Sequence, residues 1–140
     1  MPPAMVLGTF TSVSLHPPLV GFLAAKSSST WPLIRPSGWL CVNVLAADQL
    51  RVSLRFTAKH PLRWDVPHRF RPSGAPQLLD ALAWIDGQIA AETDAGDHWF
   101  VSVHVRSLDI QRVTEPLLFV RGSYAAPRPL AGGVTPLGTA

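Results

Sequence analysis

The sequence predicts a mainly β fold, a small antiparallel barrel with one or two short helices. The 140 residues include 14 prolines and 10 glycines, and both residue types interrupt helices and mark turns. Short apolar stretches are separated by these turn signals, without the strand–helix–strand alternation of a parallel sheet. With 47% hydrophobic and 15% charged residues, the composition is that of one globular domain with a core.

Charge and cysteine content narrow the functional class. The net charge is +3 and the basic residues are scattered, which is unlike a nucleic-acid-binding surface and favours small anionic ligands. The single cysteine, Cys41, excludes an internal disulfide and lies in an apolar stretch, which predicts a buried, unreactive thiol and a reducing cytoplasm. No apolar run reaches the roughly 18 to 20 residues of a membrane span, and no signal peptide is recognisable. We therefore expect a cytoplasmic protein without membrane contact.

Two strands are predicted at the beginning of the chain. In Met5–Leu15, apolar Val13 and Leu15 alternate with serines, which is the pattern of a half-buried strand. His16–Pro18 predicts a tight connection, because proline restricts the backbone before it. Leu19–Ala25 is apolar almost throughout, which predicts a central strand.

A turn rich in hydroxyl groups follows the second strand. Lys26 precedes four consecutive hydroxyl residues, Ser27–Thr30, and Trp31–Ile34 has the pattern of a first helical turn with proline near its start. Free backbone N–H groups, hydroxyls and a lysine together would form an anion site. The alternative is ordinary N-capping by a serine, and spacing alone leaves both open.

The middle of the chain predicts a turn, a strand and a helix. Arg35–Gly38 is the turn, Trp39–Leu45 the strand and Ala46–Thr57 the helix. Arg51 and Arg55 share one face of this helix. Arg55 is a candidate ligand contact, with a solvated helix face as the alternative.

The second half predicts a long surface loop followed by three strands. Ala58–Pro76 is irregular, and it would either cover a site or serve as a passive connection. Ala83–Glu92 has strand character, and Thr93–Asp97 predicts a hairpin turn. Trp99–Arg106 alternates apolar and polar residues most clearly. Pro116–Tyr124 predicts the last strand.

The sequence gives little support for a metal site or for a hydrolase active site. The five histidines lie on different predicted elements without ligand spacing, which predicts no metal site. Ser28, His98 and Asp97 could be grouped as a triad, but no nucleophile-elbow motif supports that grouping. His98 could hydrogen-bond a ligand carboxamide, or it could simply close the hairpin.

Several segments together resemble one family. They are GTFTSVSLHPPLVGFLAAKSSSTWPLIRPSGWLCVNVLAADQ, GAPQLLDALAWID, DAGDHWFVSVHV and PLLFVRGSY. In order and spacing they resemble the flavin reductase family, whose fold is the FMN-binding split barrel, over roughly 5–124. The resemblance implies a Greek-key split-barrel domain at 1–125, and 126–140 is predicted to be a disordered tail.

The resemblance also implies site residues. The positions that match the family's flavin contacts are Gly8, Thr9, Phe10, Leu23, Ala24, Ala25, Lys26, Ser29, Thr30, Arg55 and Phe56. The positions that match its nicotinamide contacts are His98, Phe119, Val120, Arg121 and Gly122. Residues 8–10 and 23–25 would line the isoalloxazine, and the hydroxyl turn would hold the phosphate.

The implied activity is reduction of FMN or FAD by NADH or NADPH. Family members typically supply reduced flavin to a flavin-dependent monooxygenase, and we expect this chain to do so as a homodimer. Because the cofactors contain the reactive groups, no catalytic residue is expected beyond those that position them. The alternatives are a flavin-binding protein without catalysis, or a truncated and inactive one.

This chain departs from the family pattern in two places, and each departure leads to an expectation about its structure. Relatives usually have a further strand ahead of the position of Met5, so we expect this barrel to lack that strand and to leave one edge unpaired. Three alternatives follow from this: the true start lies earlier, dimer contacts cover the edge, or flavin binding is impaired. In the long loop, the family often has a Lys-Phe pair where this chain has Leu62–Asp65. We expect substrate access to differ there.

Overall fold

The structure, a computed structural model, describes residues 1–131 and is built mainly from antiparallel strands. The strands are β1 (Thr11–Leu15), β2 (Pro18–Ala25), β3 (Trp39–Val44), β4 (His68–Phe70), β5 (Pro76–Leu78), β6 (Ala83–Ala95), β7 (His98–Ile110), β8 (Leu118–Val120) and β9 (Ser123–Ala125). The helices are α1 (Trp31–Ile34) and α2 (Leu50–Thr57), with 3₁₀ turns at Arg35–Ser37 and Ala47–Gln49. The predicted mainly β fold class is confirmed.

One five-stranded sheet organises the molecule. Its strand order is β1-β2-β7-β6-β3, all antiparallel, while β4-β5 and β8-β9 are separate hairpins. The long strands β6 and β7 carry register shifts at Asp86/Gly87 and Ile89/Ala91. Such bulges increase the local twist and bend the strands, which lets the sheet wrap around a core.

The core consists of two clusters. The buried members of the first are Phe22, Ala24, Trp31, Leu40, Val101 and Val103. The buried members of the second are Phe56, Trp64, Leu78 and Ala81. The first lies on the inner face of the sheet, since alternate residues of β2 and β7 point to one side. Leu23, Ala25, His98 and Phe100 therefore lie on the outer face.

Four predicted elements differ from the structure. The strand predicted at Ala83–Glu92 continues to Ala95, so the hairpin turn is limited to residues 96–97. Residues 5–10 do not form strand, because Met5 and Leu7 pack singly against the first cluster without a pairing partner. The predicted last strand is a hairpin, since Arg121 and Gly122 both have positive φ, 52° and 79°, and reverse the chain. The loop predicted at Ala58–Pro76 contains β4 and the first residue of β5, which pair as a hairpin. Residues 126–131 form no helix or strand, and the rest of the predicted tail lies outside the described residues.

Cys41 lies half-buried on β3, opposite Asp86 of β6. Burial, and next the nearby Asp86 carboxylate, raise the pKa of its thiol to about 12. The raised pKa keeps the thiol protonated at neutral pH, which disfavours nucleophilic attack because the thiolate is the nucleophile. The side chain is half-buried and not fully buried as expected. Within residues 1–131, no helix is long and apolar enough to cross a membrane.

Candidate functional site

A cavity of about 420 Å³ lies on the outer face of the sheet, between β2 and the segment that precedes β1. Its lining residues are Gly8, Thr9, Phe10, Thr11, Gly21, Phe22, Leu23 and Phe100. The backbone N–H of Leu23 donates to Thr9 Oγ1 at 3.2 Å, which fixes the segment against β2. The structure thus brings together Gly8, Thr9, Phe10 and Leu23, and the walls they form are mostly apolar.

Ala24, Ala25 and Lys26, the next three predicted residues at the end of β2, lie in different surroundings. Ala24 is fully buried with its side chain in the first core cluster, so only its backbone could face a ligand. Ala25 is half-buried opposite His98. The ammonium of Lys26 lies 2.7 Å from Asp94 and 4.6 Å from the centre of the Trp99 ring. The Lys26 hydrogen bond holds the pKa of the Asp94 carboxyl below its ordinary value.

A second cavity, of about 330 Å³, lies at the hydroxyl turn. Its lining residues are Ala4, Met5, Val6, Ser27, Ser28, Ser29, Thr30, Phe56, Thr57 and Lys59. It contains the predicted Ser29, Thr30 and Phe56, but not Lys26. Both cavities lie along the same two stretches, 4–11 and 21–30, so they follow one another along the chain.

Ser28 shows how the turn joins α1. Its Oγ accepts hydrogen bonds from the backbone N–H groups of Thr30 and Trp31, both at 3.2 Å. A serine therefore does bond N–H groups at the start of α1, although the N-cap residue itself, Thr30, makes no side-chain capping hydrogen bond. Ser28 uses two of the N–H donors expected to be free for an anion, those of Thr30 and Trp31, while the Ser29 and Thr30 hydroxyls belong to residues that line the cavity.

Lys59 supplies a cation that the sequence analysis missed. It follows α2 in the left-handed region, with φ 51°, and its Nζ donates to Ser29 Oγ at 2.6 Å. The two residues are 30 positions apart, and neither periodicity nor a local motif indicates such a contact. Ser28 and Phe100 were also missed, although Ser28 belongs to the predicted hydroxyl run.

His98 begins β7 and lies on the same sheet face as Phe100, two residues along. Its Nδ1 is 2.7 Å from Asp97 Oδ1, and this hydrogen bond holds the pKa of the Asp97 carboxyl below its ordinary value. A carboxylate only accepts, so Nδ1 carries the hydrogen and a neutral ring has Nε2 as an acceptor. The side chain is 41% exposed, which leaves Nε2 accessible.

The remaining predicted residues lie apart from these groups. Phe119–Gly122 form the tip of the β8-β9 hairpin, which the hydrogen bond between Tyr124 and Ser53, at 2.8 Å, anchors to α2. Within residues 1–131, no hydrogen bond or ring contact joins this tip to His98. Arg55 is half-buried on α2 and lines neither cavity. Over the same range, no group of three or more His, Cys, Asp or Glu side chains could hold a metal ion.

Comparison with known proteins decides the family. A family model described as a flavin reductase like domain matches residues 1–128. The chain belongs to this family. The fold class and the enzyme class implied by the sequence resemblance are thereby confirmed, and the chain is an oxidoreductase of the flavin reductase type.

Individual relatives agree with this. A flavin reductase of Pseudomonas putida is 43% identical over 121 residues, which cover 86% of this chain and 71% of the relative. The FMN reductase (NADH) SmoA of Agrobacterium fabrum is 36% identical over 123 residues, covering 88% and 70%. Among solved structures, a homolog of nitrilotriacetate monooxygenase component B from Mycobacterium thermoresistibile superposes with a TM-score of 0.88 at 34% identity, covering 95% and 76%.

Proposed function

We propose that this flavin reductase family member reduces FMN or FAD with NADH or NADPH and passes the reduced flavin to a partner monooxygenase. The observation that carries the proposal is the pair of consecutive cavities, one with apolar walls and one with hydroxyls and a lysine. A flavin has the same order of parts, an aromatic ring system joined by a linear chain to a phosphate.

The residues present fit such a ligand. Phe10, Leu23 and Phe100 offer apolar surface to a flat ring system, as most cofactor sites do. Ser29, Thr30 and Lys59 offer hydrogen-bond donors to a phosphate. The apolar lining of the first cavity and the hydroxyl groups and lysine of the second support this orientation over the reverse one.

When bound, a flavin would supply the redox chemistry, as the acceptor of the hydride that NAD(P)H gives up on oxidation to NAD(P)⁺. The protein orients the two ring systems and limits water around them. His98 is proposed to accept a hydrogen bond at Nε2 from the nicotinamide carboxamide, because its side chain lies on the sheet face that carries Phe100. The proposed nicotinamide contacts at 119–122 would come from the β8-β9 hairpin.

A homodimer is part of the proposal. Several large apolar side chains near one end of the sheet are exposed, among them Leu15 at 76%, Leu108 at 59% and Ile110 at 64%. The pairing of β2 with β7 stops at His104, and β1 pairs with β2 alone. A second copy would cover this surface.

The proposed oxygenase partner and the proposed location have separate support. The relative named as a monooxygenase component supports the oxygenase partner. Cys41 as a free thiol is consistent with the cytoplasm.

Steady-state oxidation of NADH and NADPH, followed at 340 nm with FMN and with FAD, tests the proposed activity. We expect a rate that requires both protein and flavin and is proportional to protein concentration. Flavin binding, seen by fluorescence quenching, without nucleotide oxidation would identify a binding protein. Absence of both binding and turnover would refute the proposal.

Replacing His98 with alanine should raise the KM for the nicotinamide nucleotide about five-fold, the value of roughly one hydrogen bond, and leave the FMN dissociation constant unchanged. Asp97→Asn is the matched control, because it perturbs the ring orientation but retains Nε2, so its effect should be smaller. Kinetics with both nucleotides and an FMN titration measure the two constants. An unchanged KM in the alanine variant would show that His98 only closes the hairpin.

A further inference from the structure

We infer that Lys59 is the residue that binds the ligand's phosphate, and that it acts together with Ser29 and Ser28 as a receptor selective for anions. The inference rests on the proposed flavin function. It replaces Lys26, the lysine assigned to the phosphate by the sequence resemblance, with a lysine that lines the second cavity.

Lys26 and Lys59 differ in the groups that surround their ammonium charges. Lys26 lies 2.7 Å from Asp94, so its charge is largely offset by a carboxylate, and it does not line the second cavity. Lys59 lines that cavity and takes part in no ion pair within residues 1–131. No carboxylate is present in the described lining of the cavity. Lys59 therefore gives the cavity a net positive charge.

The hydroxyl groups of Ser28 and Ser29 are also arranged to donate hydrogen bonds to an anion. A serine oxygen has two lone pairs and one hydrogen to donate. Ser28 Oγ accepts from two backbone N–H groups, so the role left for it is that of a donor. Ser29 Oγ accepts from the Lys59 ammonium, which strengthens its own O–H as a donor. The cavity thus presents donors and a cation, the combination that binds a phosphate monoester.

The backbone of Lys59 holds its side chain in this position. Its φ of 51° is uncommon for a residue other than glycine. Its backbone N–H donates to the Phe56 carbonyl at 3.2 Å, and its carbonyl accepts from the Arg63 guanidinium at 3.3 Å. These bonds fix the turn after α2, and the side chain leaves it towards Ser29.

Titration of the full chain with FMN and riboflavin tests the inference, because riboflavin lacks only the phosphate. Lys59→Met removes the charge but keeps an unbranched side chain with similar backbone preferences. We expect it to weaken FMN binding about ten-fold, a moderate value for a charged hydrogen bond at an exposed site, without changing riboflavin binding. Lys59→Arg should retain FMN binding within about two-fold. Inorganic phosphate should compete with FMN, and not with riboflavin, in the unmodified protein.

Arg51→Met, which removes the same charge from the exposed face of α2, is the matched control and should bind FMN normally. Far-UV circular dichroism and melting temperatures establish that each variant is folded. Equal FMN affinities of the unmodified and Lys59→Met proteins would overturn the inference while leaving the proposed function intact. The same holds if Lys26→Met weakens FMN binding and Lys59→Met does not. Failure of the unmodified protein to bind either flavin would refute the proposed function and the inference together.

Discussion

Replacing Trp31 with alanine should lower the free energy of unfolding by about 3 to 5 kcal/mol, the range measured for large aromatic residues removed from cores. Trp31 is only 2% exposed, belongs to the first core cluster and meets the Phe22 ring edge to face at 5.5 Å. It also follows the hydroxyl turn directly, and its backbone N–H donates to Ser28. Loss of the ring would therefore leave a cavity beneath the turn that lines the proposed phosphate site.

Trp31→Phe separates packing from other effects of substitution. Phenylalanine keeps a ring beside Phe22 and removes the indole Nε1, which is buried without a hydrogen-bond partner in the described part of the chain. Because a buried unsatisfied donor is unfavourable, part of the lost packing is offset, and the expected cost is about 1 to 2 kcal/mol. Urea unfolding followed by circular dichroism measures both. If the alanine variant unfolds at the same urea concentration as the unmodified protein, Trp31 does not anchor the core.

Gly87→Ala should lower the free energy of unfolding by about 3 kcal/mol, the upper end of the usual range for overpacked cores. A Cβ atom at this position would lie 2.4 Å from Val103 Cγ1 and 2.7 Å from the His104 carbonyl oxygen. The side chain could rotate away, but the carbonyl belongs to the backbone of β7. Relief of this contact therefore requires β6 and β7 to separate at the bulge beside Asp86.

Gly8→Ala is the matched control for this substitution. A Cβ at Gly8 meets no atom within 4 Å, so the change should alter the free energy of unfolding by less than about 1 kcal/mol. Urea denaturation without flavin compares the two variants. Equal stability of Gly87→Ala and Gly8→Ala would contradict the close packing of β6 against β7.

Strands with a continuous or strictly alternating pattern were predictable. The apolar run of β2 ends at prolines on one side and at the hydroxyl turn on the other. The regular alternation of Trp99–Arg106 predicted a strand there, and its Val101 and Val103 are fully buried. The segment 5–10 has similar composition but is not a strand. Met5 and Leu7 are half-buried against the core without backbone pairing, and composition does not distinguish this arrangement from a strand.

The site was predictable only where it is local in sequence. The hydroxyl turn is recognisable because four hydroxyl residues are consecutive, and both Ser29 and Thr30 line the second cavity. The cation is not local. Lys26 finds a partner 68 positions away in Asp94, whereas Lys59 reaches Ser29 across 30 positions. Such contacts depend on how β2, β6 and α2 are brought together, which is a property of the fold.

Anaerobic stopped-flow mixing of NADH or NADPH with the protein and FMN or FAD tests the central claim most directly. Loss of flavin absorbance near 450 nm reports hydride transfer itself, without a contribution from reoxidation by oxygen. We predict that the protein accelerates this loss far above the protein-free rate for at least one pair of nucleotide and flavin, in proportion to its concentration. A rate equal to the protein-free rate for all four pairs would contradict the proposed function.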